Sequence, residues 1–414
     1  MTLRRIVLIG WFFLCLYPVS VDGIGVNYAF VLLPLISVVL LGRLRHPGSA
    51  FMLVIVAFVA IFFCAALYQY DLIDESGRRF VSFGIFMSIF SYMFVRVDDE
   101  MIAAFKIAVV VSSAYFSLIS IYVLLSAGPA NVGYAAKDLV GTQRIGFVYV
   151  LALWLAYIDR EVKKTFGIAR HGLILVVTAG LLLTFSRASV VSALGSLGLF
   201  VMGRTGRWIT SLSLRGLLKA VVSVSGAAII VGILYDVFPL TFSFFGERLF
   251  DFLSSSEDLQ AHLLDPNSSE GTRLLLLQDI TEFVSRNPVT GAGYLGVWVL
   301  PHAPTGSAHN QYLDVLFRTG IPGLLAYGFL LVTLMRRLWR EEEGLFWGVT
   351  GILIYGLFHE TFKESHGAGI LAFLLGLLAQ GYRDDRERFS GARATLEANR
   401  LDLQAPGGKQ ATVQ

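Results

Sequence analysis

The chain has 414 residues, 55% of them hydrophobic and only 15% charged, with a mean hydropathy of +0.68. No water-soluble globule keeps that balance over such a length, so a polytopic, all-α membrane protein is expected and a soluble domain of any size is excluded. The net charge of +3 says little, because in a membrane protein the placement of charge matters more than its sum, and nothing in it points to nucleic acid.

The first apolar run, residues 6–21, follows Arg4 and Arg5. It lacks a small-x-small cleavage site, so it reads as a first transmembrane helix rather than a signal peptide. Further runs lie at 24–41, 50–69, 80–95, 101–127 and 144–158. The second half adds 172–185, 189–202, 217–238, 321–338, 345–358 and 367–382. Together they predict about 12 transmembrane helices, each near the length that crosses ~30 Å of hydrocarbon. Cys15 and Cys64 both fall within apolar runs, with no disulfide framework or metal-ligand spacing.

Basic residues cluster in alternate connections: Arg4/Arg5, Arg43/Arg45, Arg160/Lys163/Lys164/Arg170, Arg204/Arg207/Arg215/Lys219 and Arg336/Arg337/Arg340. The intervening connections are poorer in lysine and arginine or carry compensating acids. This is the positive-inside pattern, with both termini cytoplasmic. Residues 1–382 are expected to form one transmembrane domain, and the polar stretch 383–414 reads as a disordered cytoplasmic tail without a lipidation signal.

One connection differs in kind. Residues 239–308 form a long acidic segment on the non-cytoplasmic side, between spans 9 and 10. It far exceeds the usual loop of about 4–6 residues, which suggests a functional loop. Within it, Asn267 to Glu270 supply capping residues for a helix at 271–285, with Leu276, Leu277, Ile280 and Phe283 at helical spacing. Asn287–Pro288 ends that helix. The following G-A-G-Y-L-G is a flexible turn, since no βαβ context surrounds it.

The stretch 307–323, S-A-H-N-Q-Y-L-D-V-L-F-R-T-G-I-P-G, holds the candidate chemistry. The His309–Asn310 pair opens a short amphipathic segment, Gly320 and Pro322 break it, and a long apolar run follows. His309, at the N-terminal end of a helix and the mouth of a span, suits a neutral imidazole that takes a proton from a hydroxyl nucleophile. The alternative is a histidine that caps its own helix.

The predicted topology puts Arg187 and Arg273 on the same membrane face as His309. Ser186 can cap the helix that begins at Arg187, and Arg273 lies in the first turn of the loop helix. A cation at either place opposes the helix dipole. The arrangement makes sense if an anion binds there, where guanidinium and free backbone N–H groups converge on phosphate. The alternatives are an interfacial arginine snorkelling to headgroups and a solvated arginine paired with Glu270. His359, Glu360 and Lys363 lie at the outer end of the eleventh span, where they can line the site. With no D-x-D on this face, no clustered carboxylates and no His/Cys ligand spacing, a mechanism without metal or cofactor is expected.

Three segments carry a resemblance to the O-antigen ligase/polymerase superfamily of bacterial membrane glycosyltransferases: L-T-F-S-R-A-S at 183–189, G-T-R with N-P-V-T-G-A-G-Y at 287–294, and H-N-Q-Y-L-D-V-L-F-R-T-G-I-P-G at 309–323. The likeness covers roughly the second half of the chain; the first half agrees only in hydropathy and span count. It implies an enzyme of the bacterial inner membrane that moves a glycan from undecaprenyl diphosphate to another hydroxyl on the periplasmic side, without a metal and with inversion. Arg187 and Arg273 would grip the diphosphate and His309 would activate or position the acceptor, with Ser186 and Asn310 in support. Within the superfamily a ligase, acting on the lipid A–core, is preferred over a polymerase, acting on the next lipid-linked repeat. A protein glycosyltransferase would usually carry a further C-terminal region. A twelve-span secondary transporter is the reading from another class, disfavoured because the two halves look unlike each other and the large loop is off-centre.

Overall fold

The structure is a computed structural model that describes residues 2–16, 97–127, 145–184, 186–208, 269–293, 308–362 and 373–378, with residues 297, 300, 367 and 369–371. Among these residues every regular element is a helix. In chain order they are α1 (Leu3–Leu16), α2 (Asp99–Ala127), α3 (Gly146–Ile158), α4 (Arg160–Phe166), α5 (Ala169–Leu183), α6 (Arg187–Trp208), α7 (Ser269–Arg286), α8 (Gln311–Glu341) and α9 (Glu343–Tyr355). The expected spans at 24–41, 50–69, 80–95 and 217–238 lie outside the described residues, as do Cys64, residues 239–268 of the long loop, Lys363 and the tail 383–414.

Among the described residues α2 and α8 are long and apolar enough to cross a membrane by themselves. The pair α4–α5, bent through 110° at its break, is a third candidate if it is one span. Shorter apolar helices, α3 and α9 among them, complete the picture of a multi-pass membrane protein.

The helix at the centre is α3, whose sequence G-F-V-Y-V-L-A-L-W-L-A-Y-I is apolar all round. A helix with no polar face has to be buried on every side, and α3 accordingly packs against α2, α5, α6 and α9. Close approach depends on small residues, as membrane helix interfaces require. A side chain at Gly348 of α9 would strike Leu151, and one at Gly180 of α5 would strike Ser117 of α2. Trp154 donates its indole N–H to Ser196 Oγ at 2.9 Å and sits among Phe200 and Trp347, joining α3 to α6 and α9. The hydroxyls of Ser117 and Ser120 bond back to carbonyls one turn earlier, so they need no water within the bundle.

One end of the bundle carries a buried charge cluster. There Lys106 of α2, only 4% exposed, reaches Asp159 at 2.8 Å and Glu342 at 2.5 Å. Asp159 is also the cap of α4, accepting from the N–H groups of Glu161 and Val162. Glu342 is the single residue between α8 and α9. One ammonium thus ties together the α3–α4 and α8–α9 corners. Burial raises the Glu342 carboxyl above its ordinary range, and the neighbouring Lys106 opposes that rise. Arg4 bridges Asp98 at 2.7 Å and Glu100 at 2.6 Å at the same end, which anchors the start of α1 beside α2.

At the opposite end α8 is broken. Gly320 has φ +67° and ψ −170°, between a short amphipathic piece and the apolar remainder. The break frees backbone groups, and the turn after α7 takes them up. Ile321 N–H donates to Pro288 O at 2.8 Å, and Ala292 N–H donates to Phe317 O at 2.7 Å. Gly291 matches Gly320 in its positive φ of 59°, and a side chain at either glycine would run into the other segment's backbone.

Removing the Lys106 ammonium leaves the buried carboxylate of Asp159 and the half-buried one of Glu342 without their counter-charge. Lys106→Met is expected to cost about 3–5 kcal/mol, the range for breaking one partner of a buried ion pair. Thermal unfolding in detergent measures this, and an unchanged melting temperature would show the triad to be energetically idle.

Candidate functional site

The site is built where the start of α8 meets the end of α9. A helix leaves its last four carbonyls without intrahelical donors. At the end of α9 the following turn meets Ile352, Ile354 and Tyr355 O with the N–H groups of Gly356, Leu357, Phe358 and His359, and the start of α8 supplies the further donors. Tyr312 OH donates to Leu353 O at 2.7 Å, Gln311 N–H to Gly356 O at 2.8 Å, and Asn310 Nδ2 to Leu357 O at 2.9 Å. In return Asn310 caps α8, its Oδ1 accepting from the N–H groups of Tyr312 and Leu313 at 2.9 and 3.1 Å. Gln311 Oε1 accepts from Phe362 N–H at 3.0 Å, and buried Glu360 accepts from Ala308 N–H at 2.5 Å.

His309 lies inside this clamp. It is one residue before the cap, so Asn310, not His309, begins the helix. Among the described residues His309 is the single non-glycine with positive φ, at 49°. An L-residue pays about 1–2 kcal/mol for that backbone region, and such a conformation persists where the surroundings over-determine it. The hydrogen bonds on either side, at Ala308 and at Asn310–Tyr312, do so here. The imidazole faces a second one: the His309 and His359 rings are 6.4 Å apart, edge to face, and His359 stacks on Tyr355 at 5.0 Å.

Arg187 opens α6, and its exposed side chain follows Ser186, whose Oγ accepts from Ser189 N–H at 3.4 Å. Packing relates that helix start to the clamp. Ser189 lies against Gly146, Gly146 lies against Tyr355, and Tyr355 carries His359. The start of α6 and the His309 segment are therefore at the same end of the bundle. Arg273, half-buried, is in the early turns of α7. Leu276 and Ile280, one and two turns later, share a buried cluster with Ala308, Leu313 and Phe317. Phe283 packs on Phe317 at 4.8 Å. Of the elements that carry the three sequence-predicted residues, α7 packs on the base of α8, and α6 is linked to the His309 segment through α3 and α9.

The loop helix expected at 271–285 is observed as Ser269–Arg286 and ends before Asn287. The turn after it, read from sequence only as flexible, is in fact the partner of the Gly320 break. Glu360 was legible as a polar residue near the site, but its bond to the backbone beside His309 was not, because it joins positions 52 residues apart. Chemically the assembly offers a fixed imidazole, a neighbouring imidazole and two arginine-bearing helix starts. That set suits proton transfer beside a bound anion.

Residues 172–328 match the family model described as O-antigen ligase, a segment that contains Arg187, Arg273 and His309. A comparison with curated proteins gives no match.

The backbone at position 309 favours glycine over any L-residue. His309→Gly is expected to be more stable than His309→Ala by about 1 kcal/mol, the left-handed penalty of a Cβ. Equal melting temperatures for the two variants, or a higher one for alanine, would contradict the strained conformation.

Proposed function

We propose that this chain is a membrane glycosyltransferase of the ligase type, a reading supported by the match of residues 172–328 to the O-antigen ligase family model. It moves a glycan from undecaprenyl diphosphate to the lipid A–core on the periplasmic side of the inner membrane. Two observations support this reading: His309 sits in a strained, many-sided clamp, and the helices that begin near Arg187 and Arg273 pack toward the same end of the bundle. The full set of about 12 spans and the periplasmic placement of the 239–308 loop belong to the same proposal.

In the proposed reaction the acceptor hydroxyl attacks the anomeric carbon and the lipid diphosphate leaves with the bonding electrons. His309 takes the hydroxyl proton or orients that hydroxyl. Arg187 and Arg273 bind the diphosphate and offset the negative charge that grows on it, the main electrostatic demand of the step. Attack opposite the leaving group inverts the anomeric centre. Arginine suits this role because its planar fork meets phosphate oxygens in pairs. No metal is invoked, since two guanidinium groups can supply the positive charge.

A polymerase of the same superfamily is the second reading, and the acceptor distinguishes the two. Purified protein given a lipid-diphosphate glycan should glycosylate lipid A–core and leave a lipid-linked repeat untouched; elongation of the repeat alone would make it a polymerase. His309→Ala is expected to abolish transfer while the protein still folds, and normal transfer would remove the base role. Arg187→Lys should lose most activity, with full activity reducing Arg187 to a point charge. Chelator should leave the rate unchanged; inhibition reversed by magnesium would overturn the metal-free step.

A further inference from the structure

The end of the bundle opposite His309 carries a feature that glycosyl transfer does not use. Along α8, Ile321, Leu325, Phe329 and Val332 are exposed. Their spacing puts them on one helix face, and the same face continues to Arg336, Trp339 and Arg340. Where this stripe ends, α8 and α9 enclose an open groove of about 500 Å³. Val332, Phe346 and Leu353 line it, with Arg336, Trp339 and Arg340 at its polar end. Trp339 is held edge-on against Phe346 at 4.8 Å, which fixes one wall.

The two arginines are arranged for an anion. Arg336 and Arg340 are four residues apart on a helix, where like charges repel. The nearby acids are already engaged: Glu341 holds Arg337 at 2.7 Å, and Glu342 holds Lys106 at 2.5 Å. Among the described residues neither Arg336 nor Arg340 has an ion pair. A phosphate between them would relieve the repulsion and meet two guanidinium forks. The apolar stripe runs away from that point along a helix that qualifies as a membrane span. Its length from Arg336 back to Leu325 is about 16 Å at the helical rise, close to the ~15 Å of one bilayer leaflet. A tryptophan at the junction is typical of the membrane–water boundary.

We propose that this groove is a binding site for one anionic glycerophospholipid of the leaflet opposite the His309 site. Its phosphate lies between Arg336 and Arg340, and one acyl chain lies along Val332 and the stripe. Two basic side chains in a cleft between spans are the electrostatic counterpart of such a headgroup. A soluble anion would use the arginines and leave the stripe unused, and a zwitterionic lipid would use the stripe and gain little from the arginines. The ligand that satisfies both is an anionic lipid.

Native mass spectrometry of the full-length protein in detergent tests this, by titration with dioleoyl phosphatidylglycerol or dioleoyl phosphatidylcholine. Phosphatidylglycerol is expected to fill one site at least tenfold more tightly than phosphatidylcholine. Arg336→Gln/Arg340→Gln should weaken phosphatidylglycerol by about tenfold or more, as two lost interfacial charges imply. Val332→Trp, at an exposed position, should weaken it by filling the groove without touching either charge. Inorganic phosphate in excess should not displace the lipid. Equal affinity for the two lipids, or unchanged phosphatidylglycerol binding in both variants, would overturn the proposal. So would displacement by inorganic phosphate, which would make this a free-anion site, or a dimer in place of the lipid adduct, which would give the groove to a second copy.

Discussion

The site rests on the hydrogen bonds that join the start of α8 to the end of α9 and the turn after it. In an apolar surrounding an unpaired carbonyl is costly; the turn after α9 meets Ile352, Ile354 and Tyr355 O from its own backbone, and Leu353, Gly356 and Leu357 O take donors from the start of α8. Those donors are two side chains and one backbone N–H, from Tyr312, Asn310 and Gln311. Once those bonds form, the chain just before them has little freedom. Glu360 then fixes Ala308, and His309 is left in a backbone region that it would not choose alone. The conformation of the proposed base is thus a consequence of how two helix ends satisfy one another.

A similar economy governs the break in α8. A helix interrupted at Gly320 exposes backbone groups that must be paired again, and the turn at 287–292 pairs them. Two stretches that look like separate short motifs in the sequence are therefore one structural unit, closed by glycines with matching positive φ. This unit joins α7, with Arg273, to α8, with His309. The far end of the bundle is held differently. There Lys106 and its two carboxylates fix the corners, and the outward face of α8 stays exposed.

Much of this was legible in the sequence because it follows from local chemistry. Gly320 and Pro322 announce the break in α8, Asn287–Pro288 announces the end of α7, and Ser186 before Arg187 announces the start of α6. Periodicity and length carry the apolar helices for the same reason. What could not be read depends on partners distant in the chain. Lys106 sits in an apolar run and gives no hint that Glu342, 236 residues later, faces it. The left-handed backbone at His309 has no local signal, since neither a glycine nor a turn sequence marks it. The capping role went to Asn310 because its amide can serve two helix ends at once, which becomes visible only when both ends are in place.

The most direct measurement is a structure of the full-length protein with a glycan-bearing undecaprenyl diphosphate bound. Diphosphate density is expected in contact with the guanidinium groups of Arg187 and Arg273, with the anomeric carbon facing the His309 imidazole. Diphosphate density at another surface of the bundle, or beside His309 with both arginines turned away, would contradict the proposed site.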